Sequence, residues 1–300
     1  VQAPPIPAGR DRVPILFTTL PGAQRGGRLI PLTGRAKVGD LQIEGSLAQR
    51  TLLVRGNNNR DMWGHDADRL AVAITDQAPF AIDLVAPKVP LVRNGSMELR
   101  VVARRDAECQ APITVRMLYN PPGVSSRGSV TIPEGGSEIT IPLTANENAA
   151  LGSSPIVVTA VAKHSGVSYE VASQLVDLEV ADALFGVEIA KASVEQGQET
   201  EMVVQLQRKQ AFSGPVRAEL VGLPAGTSSE PQDVPPDADA LRFRIQAEQT
   251  ARPGRFHTVI CRLVATQHDE PITHLLGRGQ LRVDKPLPVK TSDESSASRR

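Results

Sequence analysis

Residues 80–124 read FAIDLVAPKVPLVRNGSMELRVVARRDAECQAPITVRMLYNPPGV, and residues 185–227 read FGVEIAKASVEQGQETEMVVQLQRKQAFSGPVRAELVGLPAGT. These two stretches follow one pattern. Phe80 and Phe185 lie 105 residues apart, and the spacing is 103 at Val101 and Val204. Self-similarity at a nearly fixed spacing is the signature of a repeat architecture. The chain therefore contains two copies of a unit of about 100 residues.

Each copy alternates apolar and polar residues along short segments. Leu99 and Val101 alternate with Glu98 and Arg100, as Leu241 and Phe243 do with the arginines beside them in the second copy. A period of two with one apolar face predicts half-buried antiparallel strands. About seven such segments per copy, and the length of the copy, predict tandem immunoglobulin-like β-sandwiches in an all-β chain. In the first copy the strands are predicted to begin near Phe80, Ser96, Pro112, Arg127, Ser137, Ser154 and Val171.

The repeat also predicts the domain limits. The two sandwiches are expected at residues 79–181 and 182–285. Residues 1–78 form an incomplete N-terminal β block, which we interpret as the back part of an earlier repeat, because DRLAVAITDQAPFAID resembles SQLVDLEVADALFGVE. The alternative is a self-contained small β unit. Residues 286–300 lack an apolar pattern and are predicted to be a disordered tail. The opening VQAPPIPAGR, without Met or a signal segment, suggests fusion to further upstream domains.

Composition excludes several classes of protein. Lys plus Arg and Asp plus Glu both number 33, so the chain lacks the basic surplus of a nucleic-acid-binding protein. Aromatic residues make up only 3%, which argues against a stacking-rich groove. No run approaches the roughly 20 apolar residues of a membrane span. Two cysteines make neither a disulfide scaffold nor a zinc site; Cys261 suits a buried apolar position, and Cys109 a free thiol.

Motifs of catalysis are missing from the sequence. It has no HExxH, GxSxG, Walker-type loop, GxGxxG or CxxC pair. Five histidines are scattered in turn-like or strand-edge stretches. A Ser-His-Asp triad need not be adjacent in sequence, so an enzyme with an unrecognised triad is a third alternative. The sequence favours a non-catalytic chain without a cofactor.

The densest polar cluster is NNNRDMWGHDAD, residues 57–68. Its carboxylates could supply oxygen ligands to calcium, although their spacing is not that of an EF-hand. Asn, Asp and Gly also form ordinary turns, and we favour that interpretation. Because loops often carry function, the cluster is still the first candidate binding surface. The calcium candidates are Asp61, Asp66 and Asp68, and the surface candidates are Asn58, Trp63 and His65.

The runs PITVRMLYNPPGV and ITIPLTANENAALGSSPIVVTAVA resemble tandem Ig-like modules of large secreted bacterial proteins that carry pre-peptidase C-terminal domains. The second copy, GPVRAELVGLPAGT with LRFRIQAEQTARPGRFHTVICRLVA, is similar. The resemblance implies an extracellular, cell-surface or periplasmic location and a spacer or interaction segment that contacts a protein or polysaccharide. The alternative is a carbohydrate- or protein-binding accessory module of an upstream hydrolase or peptidase.

Overall fold

A computed structural model describes residues 1–20, 22–212 and 214–286. The predicted tail lies, apart from Pro286, outside the described residues. The chain divides into two compact units. The smaller comprises Val1–Gln2 and Phe17–Ala78, and the larger comprises Ala3–Leu16 and the chain from Pro79 onward.

The smaller unit consists of three antiparallel strand pairs. Its strands are β1 (Gly26–Pro31), β2 (Thr33–Val38), β3 (Leu41–Ser46), β4 (Gln49–Arg55), β5 (Asp61–Ala67) and β6 (Arg69–Ile74), with a 3-10 turn at Asn57–Asn59. β1 pairs with β6, β2 with β3, and β4 with β5. Among the described residues between 22 and 79, none is buried. This unit thus has strands but no core of its own.

The first β-sandwich follows in the larger unit. Its strands are β7 (Phe80–Leu84), β8 (Leu91–Val92), β9 (Gly95–Arg105), β10 (Ile113–Met117), β11 (Val124–Ser126), β12 (Val130–Ile132), β13 (Glu138–Ala145), β14 (Gly152–Ile156), β15 (Val158–His164), β16 (Val167–Ala172) and β17 (Val176–Ala181). One sheet contains β7, β9, β13 and β11, and the facing sheet contains β12, β10, β15 and β16. β8 runs parallel to β17. This division into two antiparallel sheets is that of an immunoglobulin-like sandwich.

The second sandwich repeats these pairings. Its strands are β18 (Phe185–Ile189), β19 (Ala192–Glu195), β20 (Glu199–Arg208), β21 (Val216–Val221), β22 (Thr227–Ser229), β23 (Gln232–Asp233), β24 (Ala240–Ala247), β25 (Gly254–Gln267) and β26 (Glu270–Asp284). β20 pairs with β18 and β24 as β9 pairs with β7 and β13. β19 runs parallel to β26, as β8 does to β17. The fold is therefore all-β with tandem immunoglobulin-like sandwiches.

Alternation along the strands builds two cores. Val101 and Val115 in the first sandwich, and Val204 and Ala218 in the second, are each 0% exposed. These four equivalent positions are buried as the repeat predicts. Intervening residues on β9, β20 and β24 face solvent and include charged side chains that pair across strands.

The 3-10 turn is too short to cross a bilayer, and the described residues contain no longer apolar helix that could do so.

Candidate functional surfaces

The polar cluster predicted from sequence lies on the β4–β5 hairpin. Asn58 occupies the 3-10 turn with φ of 60°, in the left-handed region that asparagine tolerates. Four further candidates lie on β5, and Asp68 lies directly after it. On β5, His65 pairs with Thr51 of β4 and is exposed. The structure therefore brings the predicted residues onto one hairpin, of which only the turn is a loop.

The three carboxylates of this hairpin are exposed to solvent. Asp66 contacts Arg50 at 3.2 Å, and Asp68 contacts Arg69 at 3.5 Å. A cation would have to compete with these guanidinium groups for the oxygens. Among the described residues, no group of three or more His, Cys, Asp or Glu side chains is arranged to hold a metal ion. The calcium assignment of Asp61, Asp66 and Asp68 thus gains no support from the geometry.

Several apolar side chains on the same hairpin are exposed to solvent. Trp63 is 63% exposed and Met62 is 62% exposed, and Leu53 on β4 is 53% exposed. Trp63 lies opposite Val54, where the register shifts. We call Leu53, Val54, Met62 and Trp63 the hairpin apolar patch. Exposed apolar side chains of this size, clustered on one hairpin, are typical of a contact surface.

A second feature was not apparent from the sequence: the sheets of the two sandwiches join. β26 of the second sandwich pairs antiparallel with β9 of the first, with Thr273 opposite Ser96 and His274 opposite Gly95. The backbone N–H of Leu275 also donates to the carbonyl of Asn94 at 2.8 Å. The result is one nine-stranded sheet that runs through both sandwiches.

Gly95 permits this close crossing of strands. A Cβ atom at this position would lie 2.4 Å from the carbonyl oxygen of Thr273 and 2.8 Å from that of Val92. Both are backbone atoms, which a side-chain rotation cannot move away. A glycine is therefore required where β9 meets β26.

Apolar side chains seal the junction. Leu184 and Phe185, in the connection between the sandwiches, are 8% and 1% exposed. Val89 and Val92 precede β9, yet they pack in the core of the second sandwich. Met97 packs against both cores. The connection is thus anchored on both sides and does not act as a free hinge.

His274 is the buried polar residue of this junction. It is 0% exposed, and its ring packs edge-on against Phe185 with centroids 5.8 Å apart. Within the described ranges of the chain, neither ring nitrogen has a hydrogen-bond partner. Burial lowers the pKa of His274 to about 4, so the imidazole is neutral at pH 7. The ring therefore packs in the junction as a buried neutral side chain.

The cysteines are similarly inaccessible. Cys109 and Cys261 are free, and each is 0% exposed. Burial, with a smaller contribution from Glu219, raises the pKa of Cys261 to about 12. A thiol that stays protonated is a poor nucleophile. The interpretation of Cys261 as a buried apolar residue and of Cys109 as a free thiol is confirmed.

A cleft of about 630 Å³ borders the junction on the outer face of the shared sheet. Its lining includes Leu275, Val264, Val85 and Glu98. The backbone N–H of Lys88 donates to the Glu270 carboxylate at 2.8 Å, and this hydrogen bond links two residues that line the cleft. The cleft is a by-product of joining the two sheets, because its walls come from both sandwiches.

No protein-family model and no curated protein matches the chain. Among solved structures, a protein of unknown function from Porphyromonas gingivalis W83 is 14% identical, with a TM-score of 0.26, over 68% of this chain and 100% of that one. The D0-D1 domain of intimin is 14% identical, with a TM-score of 0.23, over 67% and 94%. Fibronectin(III)-like modules of Clostridium thermocellum CbhA are 12% identical, with a TM-score of 0.23, over 68% and 95%. These scores are low, and the fold assignment rests on strand pairing.

Proposed function

We propose that the chain is a non-catalytic structural spacer or interaction segment of an exported bacterial protein, of the kind that carries pre-peptidase C-terminal domains. The observation that supports it best is the shared sheet at Gly95 and His274. A spacer must hold its ends at a fixed separation, and a continuous sheet with a sealed junction resists bending. An extracellular, cell-surface or periplasmic location follows from this proposal.

The smaller unit fits the same proposal as the back part of an earlier repeat. β1 and β6 pair ahead of Phe80, as β14 and β17 pair ahead of Phe185. The half-buried Leu70, Val72 and Ile74 of β6 alternate like the buried residues of β17. A strand pair without a core needs further strands to bury its apolar face. We therefore propose that upstream segments complete this unit.

Thermolysin digestion tests the rigid spacer. The enzyme cleaves before large apolar residues, and the connection between the sandwiches offers Leu184 and Phe185. Because both are buried, we expect residues 79–284 to persist as a single fragment under conditions that digest the smaller unit. Rapid cleavage at Ala183–Leu184 into two separate sandwiches would contradict the proposal.

The second candidate is a carbohydrate- or protein-binding accessory module of a hydrolase or peptidase. The hairpin apolar patch supports it, because Trp63 is a large, exposed anchor. Trp63 is also the only tryptophan, so its fluorescence reports on this surface alone. A saturable emission change on adding a soluble polysaccharide, lost in Met62→Ala but kept in Leu20→Ala, would favour the accessory module over the spacer.

A further inference from the structure

The last hairpins of the two sandwiches are equivalent residue by residue. β15 and β16 are joined by the turn Ser165–Gly166, and β25 and β26 by the turn His268–Asp269, all four residues having positive φ. Counted from these turns, each residue of β16 has its counterpart 103 positions later. The neighbouring strands β10 and β21 keep the same spacing.

The two hairpins differ at their outer edge, which is the side of β16 or β26 that faces away from its partner strand in the hairpin. β26 pairs there with β9 of the other sandwich, through Thr273 and His274. Their counterparts on β16 are Glu170 and Val171. Among the described residues, β16 pairs only with β15. In the part of the chain that the structure describes, the first sandwich therefore has the docking edge that the second one uses, but without a strand hydrogen-bonded to it.

The backbone of β16 is suitably oriented. Residues that flank a two-residue hairpin turn share hydrogen bonds, and the direction then alternates along the strand. Ser168, Glu170 and Ala172 accordingly direct their N–H and C=O groups away from β15. All three residues are exposed. Thr273, the counterpart of Glu170, directs the same groups to Ser96.

Side-chain burial also indicates that the outer edge of β16 lacks a partner strand. Ile272 and His274 are 2% and 0% exposed in the second sandwich. Their counterparts Tyr169 and Val171 are only half-buried. Val167, at the start of β16, is 51% exposed. A free edge rich in β-forming residues, without Pro or Lys, is prone to pair with another strand.

We propose that the outer edge of β16 docks an antiparallel strand of another immunoglobulin-like repeat, as β26 docks β9. The partner strand carries glycine opposite Val171, since Gly95 is required at the equivalent crossing. It carries a small uncharged residue opposite Glu170, as Ser96 does opposite Thr273. The inference rests on the proposed function only in treating the sandwiches as members of an array.

A second copy of this chain is a poorer partner. β20 is the counterpart of β9, and its docking would place Glu199 opposite Glu170. Like charges directly opposite each other destabilise a strand pair. In addition, Gly197, the glycine nearest to β20, lies in a turn with φ of 77° before that strand begins. The free strand that fits is one like β9.

Hydrogen–deuterium exchange of the full chain tests the docking. The ligand is a capped synthetic peptide, RNGSMELR, which has the sequence of residues 93–100. At millimolar concentration we expect it to slow amide exchange at Glu170 and at Ala172, the counterpart of Leu275, by roughly fivefold or more. The matched control RNGPMELR has proline in place of serine and should give no protection, because it lacks the N–H that Glu170 accepts.

Two variants of the chain complete the test. Glu170→Pro removes an outward N–H and should abolish the protection, whereas Val167→Thr, whose backbone groups face β15, should retain it. Unchanged exchange with RNGSMELR, or equal protection by both peptides, would overturn the proposal. Self-association in sedimentation velocity that both Glu170→Pro and Glu199→Pro abolish would identify a second copy as the partner and also overturn it. The thermolysin test of the junction does not involve β16, so each failure can be recognised separately.

Discussion

At the scale of single residues, protonation of His274 makes the stability of the folded chain depend on pH. Its folded pKa of about 4 lies below the ordinary value of 6.5, because burial penalises the charged ring. A group with a lowered folded pKa contributes stability that is complete above the unfolded pKa and is lost as pH falls. For His274 the loss runs from about pH 6.5 down to about pH 4 and amounts to about 3 kcal/mol.

We therefore expect the free energy of unfolding to fall as pH is lowered from 7 to 4, and to fall less in His274→Leu. Chemical denaturation at a series of pH values measures it. His257→Leu, at an exposed histidine, is the control for replacing an imidazole with an apolar side chain. An equal slope in wild type and His274→Leu would show that His274 does not titrate in this way.

Val101 tests the core of the first sandwich. It is 0% exposed, so Val101→Asp buries a charge without a partner, which costs several kcal/mol. We expect the first sandwich to unfold and the second, which then loses Val89 and Val92 from its core, to melt separately at a lower temperature than in the unsubstituted chain, as calorimetry would show. Val167→Asp is the matched control, because Val167 is 51% exposed on the same sandwich. Loss of both sandwiches in one transition would mean that they are a single folding unit.

At the scale of elements, the crossing of β9 and β26 depends on Gly95. Gly95→Ala places a Cβ against two carbonyl oxygens, and overpacking of this kind costs about 1–3 kcal/mol. We expect the substitution to lower the melting temperature and to expose Leu184 to thermolysin. Gly128→Ala is the control, since a Cβ there meets no atom within 4 Å. Equal stability of the two variants would rule out a tight crossing.

The β4–β5 hairpin gives a prediction about metals. Asp66 and Asp68 are already paired with arginines, so neither calcium nor a chelator should change Trp63 emission. A saturable change with calcium that Asp66→Asn removes, and Asp40→Asn does not, would establish a calcium site. Asp40 is a fair control because it is exposed outside the hairpin.

Strand positions were predictable where one face is buried. The predicted starts at Phe80, Ser96 and Ser137 lie within one residue of the observed strands β7, β9 and β13. The pairing of β26 with β9 could not be predicted from the sequence. The alternation of apolar and polar residues shows which face of a strand is buried, but not which strand lies beside it. Gly95 carried the one available signal, a glycine opening a long strand. Trp63 was named as a surface candidate from the sequence, but its exposed apolar neighbours Leu53, Val54 and Met62 were not, because exposed and buried strands share one pattern.

At the scale of the molecule, the proposed spacer function depends on how the repeats are connected. The larger unit has two cores, but Val92 from the chain of the first sandwich packs in the second core. We expect this packing and the shared sheet to make the two sandwiches move together as one rigid body. The free edge of β16 would extend the same connection to another repeat. The central claim is therefore the rigidity of the junction.

Distance measurement between spin labels tests that claim most directly. Thr114→Cys and Ser228→Cys place labels on exposed strand residues of the two sandwiches, and the native cysteines are too buried to react. We predict a single narrow distance distribution in double electron–electron resonance. It should persist when Gly128→Ala is added and broaden with Gly95→Ala. A broad distribution in the labelled chain without these substitutions would contradict the account, because it would mean that the two sandwiches move independently.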